Sequence, residues 1–231
     1  MSDSADSSPF STLSLDPVST VDRVAEELRR SLFECELEPG TALREVALAD
    51  ALGVSRSTVR EALGMLVAEG LADRVPNKGT QVRRLDPDQV RDVCQARMVI
   101  ETAGVRRWND ADETLRSDVR RALDAFADLT HGDYTAAEFT AAHLAIHRSL
   151  AALTGSERLV AVAESLHAEV RLALAHVDKA RGNATEQVHS HADLLSMLEK
   201  GDLEAAADEL ADHLGGAEAS MLEAIGRRDP D

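Results

Sequence analysis

From Val21 onward, apolar residues recur three and four positions apart along most of the chain. Val21, Val24, Leu28 and Leu32 share one face, which predicts a helix capped by Thr20 and running to about Cys35. "LEPGTAL" interrupts the pattern with a Pro-Gly turn. Helices follow at about 45–52 and 56–69, broken at Gly53 and closed at Gly70, a residue suited to a helix C-terminus. The period then shortens. "LADRVPNKGTQVRRL" predicts short strands near 72–75 and 80–83 on either side of Pro76-Asn77-Lys78-Gly79. Three helices and a hairpin make a winged helix-turn-helix.

"RRLDPDQ" reads as a linker, with Pro87 near the start of the next helix. Everything beyond it has a helical pattern, with breaks near 109–112, 131–133, 154–156, 181–184 and 200–202, so about six further helices are expected. Residues 1–19 are rich in Ser and Asp and lack periodicity, which predicts a disordered tail. The expected fold is mostly α: a tail at 1–19, a winged helix-turn-helix at 20–84 with a small β-hairpin wing, and an all-α helical bundle at 85–231.

Composition narrows the class. With 44% hydrophobic and 3% aromatic residues, the cores must be built from Leu, Ala and Val. No apolar run approaches the roughly 18 residues that span a bilayer. The N-terminus lacks a basic region followed by an apolar block, so no secretory signal is expected. Cys35 and Cys94 form no CxxC pattern and read as two reduced thiols of a cytoplasmic protein. No glycine-rich phosphate loop, serine nucleophile elbow or HExxH pattern is present.

The net charge of −17 would keep the chain away from phosphates if it were evenly spread. It is not. Residues 55–84 carry six basic against three acidic side chains. Within this stretch, the helix after Gly53 opens with Ser55, Arg56, Ser57 and Thr58, followed by Arg60. A helix N-terminus presents free N–H groups and partial positive charge, and the hydroxyls add donors. Arg56 and Arg60, four apart, share a face, so one can reach a guanine edge and the other a phosphate. Alternatively, Ser55 is only a cap and the arginines solubilise a surface helix.

"ELEPGTALREVALADALGVSRSTVREALGMLVAEGLADRVPNKGTQV" resembles the DNA-binding domain of the GntR family of bacterial transcription regulators almost without gaps. The resemblance lies in the PG turn, "LADALGVSR", "TVREAL", "EGL" and a wing containing glycine. It implies that Arg56 and Arg60 contact double-stranded DNA, with Ser57 and Thr58 beside them. It also implies that Arg44 lies near the backbone and that Asn77, Lys78 and Gly79 form the wing tip near the minor groove.

The helical half holds an unusual set of histidines. His143 and His147 share a stripe with Phe139, Ile146 and Leu150; His191 lies with Leu194, Leu195 and Leu198; His213 lies with Leu203, Ala206, Leu210 and Ala217. His189 falls among polar residues and reads as exposed. Buried imidazoles need partners, so these four should meet one another, water or a metal. A His pair at i, i+4 is a good chelating unit, and a polar network is the rival reading.

Residues 88–225 resemble the FCD domain, the helical effector-binding domain of the FadR subfamily of GntR regulators, through "ARMVIETAG", "HLAIHRSLAALTG" and "HADLLSMLEKGDLEAAADELADHL". Many members of that family bind a divalent metal with one Asp and three His. Here His147, His191 and His213 occupy the histidine positions, and His143 stands at the Asp position. Ser156 stands where the family often has Asn. An all-imidazole shell points to zinc or nickel and leaves the ion's charge uncompensated, which favours an anionic ligand. Arg97 lies on the stripe of Val90, Val93, Ile100 and Gly104. It either pairs internally with Glu101 or, as the resemblance favours, anchors an effector's carboxylate. The reading is a homodimeric, metabolite-responsive regulator that binds a palindromic operator and a small organic acid, with no membrane partner. The rivals are a metal-dependent enzyme and a scaffold that retains its helix-turn-helix without reading DNA.

Overall fold

The computed structural model describes residues 19–182 and 184–228; the rest of the expected N-terminal tail lies outside the described residues. The elements run α1 (Thr20–Phe33), α2 (Glu45–Leu52), α3 (Arg56–Ala68), β1 (Ala72–Val75), β2 (Gly79–Val82), α4 (Pro87–Val105), a short 3-10 turn at Trp108–Asp110, α5 (Glu113–Thr130), α6 (Ala136–Ala152), α7 (Glu157–Arg181), α8 (Ala184–Lys200) and α9 (Leu203–Arg228). No helix among them is long and apolar enough to cross a membrane.

Ser19, not Thr20, caps α1. Its hydroxyl accepts the Asp22 N–H, and the Asp22 carboxylate returns to the Ser19 N–H. Both residues are competent caps, and the acid three positions on selects Ser19. The helix ends at Phe33, and Cys35 turns the chain with a φ of 58°. The second strand begins one residue earlier than expected. Gly79, at φ 90°, closes the turn and pairs with Val75, while Ala72 pairs with Val82. Asn77 supplies the other positive φ of the turn, 62°, as Asn tolerates.

The winged module is held by Leu28, Leu32, Val59, Leu63, Leu66 and Val82, and by Leu172 and Ala175 from α7. The two halves therefore share a core. The segment read as a linker is also packed. Leu85 is buried with Val90 and Met221, and Arg83 pairs with Glu169 of α7 at 3.0 Å. Its Pro and Asp residues mark the start of α4 rather than a flexible spacer: Asp86 caps α4 with Pro87 in its first turn.

In the helical half, α4 crosses α6 at Gly104. A Cβ there would stand 1.9 Å from the Leu150 carbonyl oxygen, so only glycine permits this approach. The close crossing seats Glu101, one turn earlier on α4, against His147 of α6. A cluster including Trp108, Phe126, Phe139, Ile146, Leu194, Leu198 and Leu210 surrounds it.

Candidate functional site

Three helices bring the four histidines to one point. His143 and His147 project from α6, His191 from α8 and His213 from α9, and one ligand atom of each lies within 4.8 Å of the others. His147 Nε2 is 3.2 Å from His143 Nε2 and 3.5 Å from His191 Nε2, and His143 Nε2 is 3.4 Å from His213 Nε2. His143, His147 and His191 are buried and His213 is half-buried, whereas His189 is exposed.

The outer nitrogens fix the inner ones. His147 Nδ1 faces a Glu101 carboxylate oxygen at 2.7 Å, and His191 Nδ1 faces the Gln187 carbonyl at 2.7 Å. Both oxygens only accept, so both rings carry their proton on Nδ1 and turn a bare Nε2 inward. Two lone pairs facing each other at 3.5 Å repel unless a cation lies between them. Metal–nitrogen distances of about 2.0–2.1 Å set ligand nitrogens about 3.3 Å apart around a tetrahedral ion, close to the three separations found here. The donor set fits a divalent metal.

Electrostatics support this fit. Burial, reinforced by the neighbouring imidazoles, pushes His143 and His213 well below the ordinary histidine range and His191 down to about 3. Burial also lowers His147, against the opposing pull of Glu101. Neutral imidazoles are the form that ligates metal. Phe126 stacks on His143 with ring centroids 5.6 Å apart, which limits its rotation.

Glu101 is fully buried at 0% exposure and joins three partners: Arg97 Nε at 3.0 Å, His147 Nδ1 at 2.7 Å and His167 Nε2 at 2.9 Å. Burial alone would raise its carboxyl; Arg97 and the two histidines outweigh burial and hold it well below the carboxylate range. The internal Arg97–Glu101 pair is therefore formed. It uses Arg97 Nε, and among the described residues the terminal guanidinium nitrogens have no hydrogen-bond partner. In the sequence Glu101 is marked only as the partner of Arg97, and no motif or stripe marks His167.

A cavity of about 180 Å³ opens onto the histidines, with His143 and His213 among its lining and Asp178, Glu186 and Asp212 at its walls. Ser156, at the position where Asn is common, caps α7 by accepting the Leu159 N–H at 3.4 Å.

In the winged module, Ser55 caps α3. Its oxygen accepts the Thr58 N–H at 3.1 Å and shares a hydroxyl contact with Ser57 at 2.7 Å. Its capping role is thus realised whether or not it also meets a phosphate. Arg56, Ser57 and Arg60 are exposed and Thr58 is half-buried. Arg60 makes two bonds to Glu45 of α2, at 2.9 and 2.6 Å. This guanidinium, with Arg56 and Arg74 nearby, holds the Glu45 carboxyl below its ordinary value. Arg74, which the sequence did not single out, reaches from the wing strand toward α3 at Gly64. Arg44 is exposed at the start of α2, and Asn77, Lys78 and Gly79 are exposed at the hairpin turn.

Residues 20–82 match the family model of bacterial regulatory proteins, gntR family, and residues 92–216 match that of the FCD domain. The chain is 29% identical over 196 residues to an HTH-type transcriptional regulator from an unstable DNA locus of Streptomyces ambofaciens, covering 81% of this chain and 79% of that one. It is 30% identical over 177 residues to the Nta operon transcriptional regulator of Aminobacter aminovorans, covering 75% and 81%. The gluconate operon transcriptional repressor of Bacillus subtilis is 35% identical over 111 residues, covering 48% and 45%. Among solved structures, a GntR transcriptional regulator from Rhodococcus sp. RHA1 superposes with a TM-score of 0.68 at 30% identity, covering 90% of this chain and 99% of that one.

Proposed function

Because the chain belongs to the GntR family of bacterial transcription regulators and carries an FCD domain, we propose that it is a cytoplasmic, metal-dependent regulator that binds a palindromic operator as a homodimer and responds to a small organic acid. Family members regulate transcription rather than catalyse reactions. The observation that carries the effector half of the proposal is the set of bare imidazole nitrogens converging between α6, α8 and α9.

His143, His147, His191 and His213 hold zinc or nickel, the ions suited to an all-nitrogen shell. Such an ion supplies positive charge, and a carboxylate would join it as an additional ligand that expands the four-nitrogen shell. Arg97 offers its terminal nitrogens to the same acid while Glu101 keeps the guanidinium in place. The cavity of about 180 Å³ beside His143 and His213 is below the usual range of about 300–1,000 Å³ for ligand pockets, which favours a small acid; Arg97 does not line it and would be reached past the histidines.

DNA is read by α3 and the wing. Arg56 and Arg60 meet bases or phosphates, with Ser55, Ser57 and Thr58 around the helix N-terminus. Arg44 meets the backbone, and Asn77, Lys78 and Gly79 meet the minor groove. The second copy is what membership of the family implies.

Helix α7 is the physical link between the halves. His167 bonds Glu101; Glu169 bonds Arg83 two residues on; Arg171 lies 5.5 Å from the Phe33 ring centroid; Leu172 enters the winged core. A ligand that alters the Arg97–Glu101–His147 group therefore acts on the helix against which the winged module packs. The test is a genomic binding selection with the full chain, combined with metal analysis of the purified protein. An enriched inverted repeat and about one zinc or nickel per chain support the proposal. Random recovery of DNA, or metal-free protein that cannot be loaded, contradicts it.

A further inference from the structure

The inference rests on the metal reading above and concerns the one ligand position where this chain departs from its family. With His in place of Asp at position 143, the inner shell loses its carboxylate. His143 turns Nε2 toward His147 and His213, at 3.2 and 3.4 Å. Its other nitrogen, Nδ1, is buried, has no hydrogen-bond partner and lies 4.0 Å from Asp178 Oδ2. Asp178 is on α7, its side chain 9% exposed, and it belongs to no motif that the sequence singled out.

We propose that Asp178 is the positioning residue for His143, supplying from behind the imidazole the negative charge that the inner shell lacks. A metal at the cluster requires a bare Nε2 on His143, so the ring proton must be on Nδ1, facing the Asp178 carboxylate. The arrangement repeats what is already formed at the neighbouring ligands, where His147 Nδ1 meets the Glu101 carboxylate and His191 Nδ1 meets the Gln187 carbonyl. Outer partners of this kind set the tautomer and raise the basicity of metal-ligating imidazoles. Asp178 is held for the role. The Gln187 side chain donates to its Oδ1 at 2.8 Å, so one residue of α8 is the partner of His191 through its carbonyl and steadies the Asp178 carboxylate behind His143 through its side chain.

The test is a double-mutant cycle on metal-stripped, full-length protein, with zinc affinity measured by chelator competition. Asp178→Asn should weaken zinc binding about 10–100-fold, the usual effect of losing such an outer partner. His143→Asp returns the carboxylate to the inner shell and removes the N–H that Asp178 accepts. In that background Asp178→Asn should leave zinc affinity unchanged or raise it, because two nearby carboxylates then repel. A merely structural residue would not lose or reverse its effect in this way. Equal affinities of Asp178→Asn and wild type overturn the inference alone, as does the same loss in both backgrounds. Failure of wild type itself to bind zinc overturns the metal reading and this inference with it.

Discussion

Replacing Glu101 with glutamine keeps the shape of the side chain and removes its charge. The Arg97 side chain is 1% exposed and that of Glu101 0%, so solvent screens little of the loss. Breaking a buried ion pair by neutralising one partner costs about 3–5 kcal/mol, because the remaining charge stays in the interior without a counterion. The amide adds a second penalty. Arg97 Nε and His167 Nε2 both meet Oε1, and His147 Nδ1 meets Oε2. Whichever way the glutamine lies, its NH2 faces a group that had been donating. For a chain of this length, such a loss lowers the melting temperature by about 6–20 °C. Urea unfolding of the metal-stripped protein at pH 7 measures it. The companion Arg97→Met/Glu101→Gln variant removes both buried charges and should recover at least half of the loss. A change below about 1 kcal/mol in Glu101→Gln, with an unchanged urea slope, would mean that the Arg97–Glu101 pair is not an unscreened buried ion pair.

The metal-stripped protein should be acid-labile in a defined window. Folded-state pKa values of His143, His147, His191 and His213 lie below the ordinary 6.5, with His191 at about 3. The unfolded chain therefore binds protons that the fold excludes, and stability present above pH 6.5 is lost as pH falls. The slope is about 1.4 kcal/mol per pH unit for each extra proton taken up. Glu101, also lowered, adds a loss of the same sign below about pH 4.5. A flat stability profile between pH 6.5 and 4 would count against the buried neutral cluster. Gly104→Ala forces a methyl group into the Leu150 carbonyl and should cost at least about 1–3 kcal/mol in chemical denaturation; a neutral result would mean that α4 and α6 do not cross so closely. Arg56 is exposed whereas Arg60 is engaged by Glu45. Arg56→Ala should weaken specific DNA binding by about 1–3 kcal/mol in fluorescence anisotropy, provided that its contact is bidentate to a base. Affinity should fall steeply with salt despite the acidic composition; operator affinity unchanged in Arg56→Ala/Arg60→Ala would remove α3 as the reading helix.

Contacts that repeat locally were legible. The apolar stripes located the helices, and the i, i+4 spacing of His143 with His147 and of Arg97 with Glu101 placed each pair on one face. The sequence could not show which faces meet. The Glu101–His147 bond spans 46 residues and depends on a glycine that lets α4 approach α6. His167 and Asp178 sit on a long helix whose polar positions look solvated until the neighbouring helices cover them. Arg60 shares an exposed face with Arg56, yet its bond to Glu45 arises only when α2 packs against α3. The "RRLDPDQ" stretch has linker-like composition, but Leu85 finds its pocket among residues of α4, α7 and α9.

Metal, acid and operator binding should be coupled, and a single titration tests the coupling. Operator DNA recovered from the genomic selection is titrated with metal-loaded, metal-stripped and His147→Ala protein, with and without a small organic acid at saturation. Coupling of about 1–3 kcal/mol would change operator affinity roughly 5–150-fold. The acid should produce this change in the metal-loaded wild type and not in the other two proteins. An equal response from the metal-stripped protein, or no response from the loaded one to any acid that fits the cavity, would contradict that coupling.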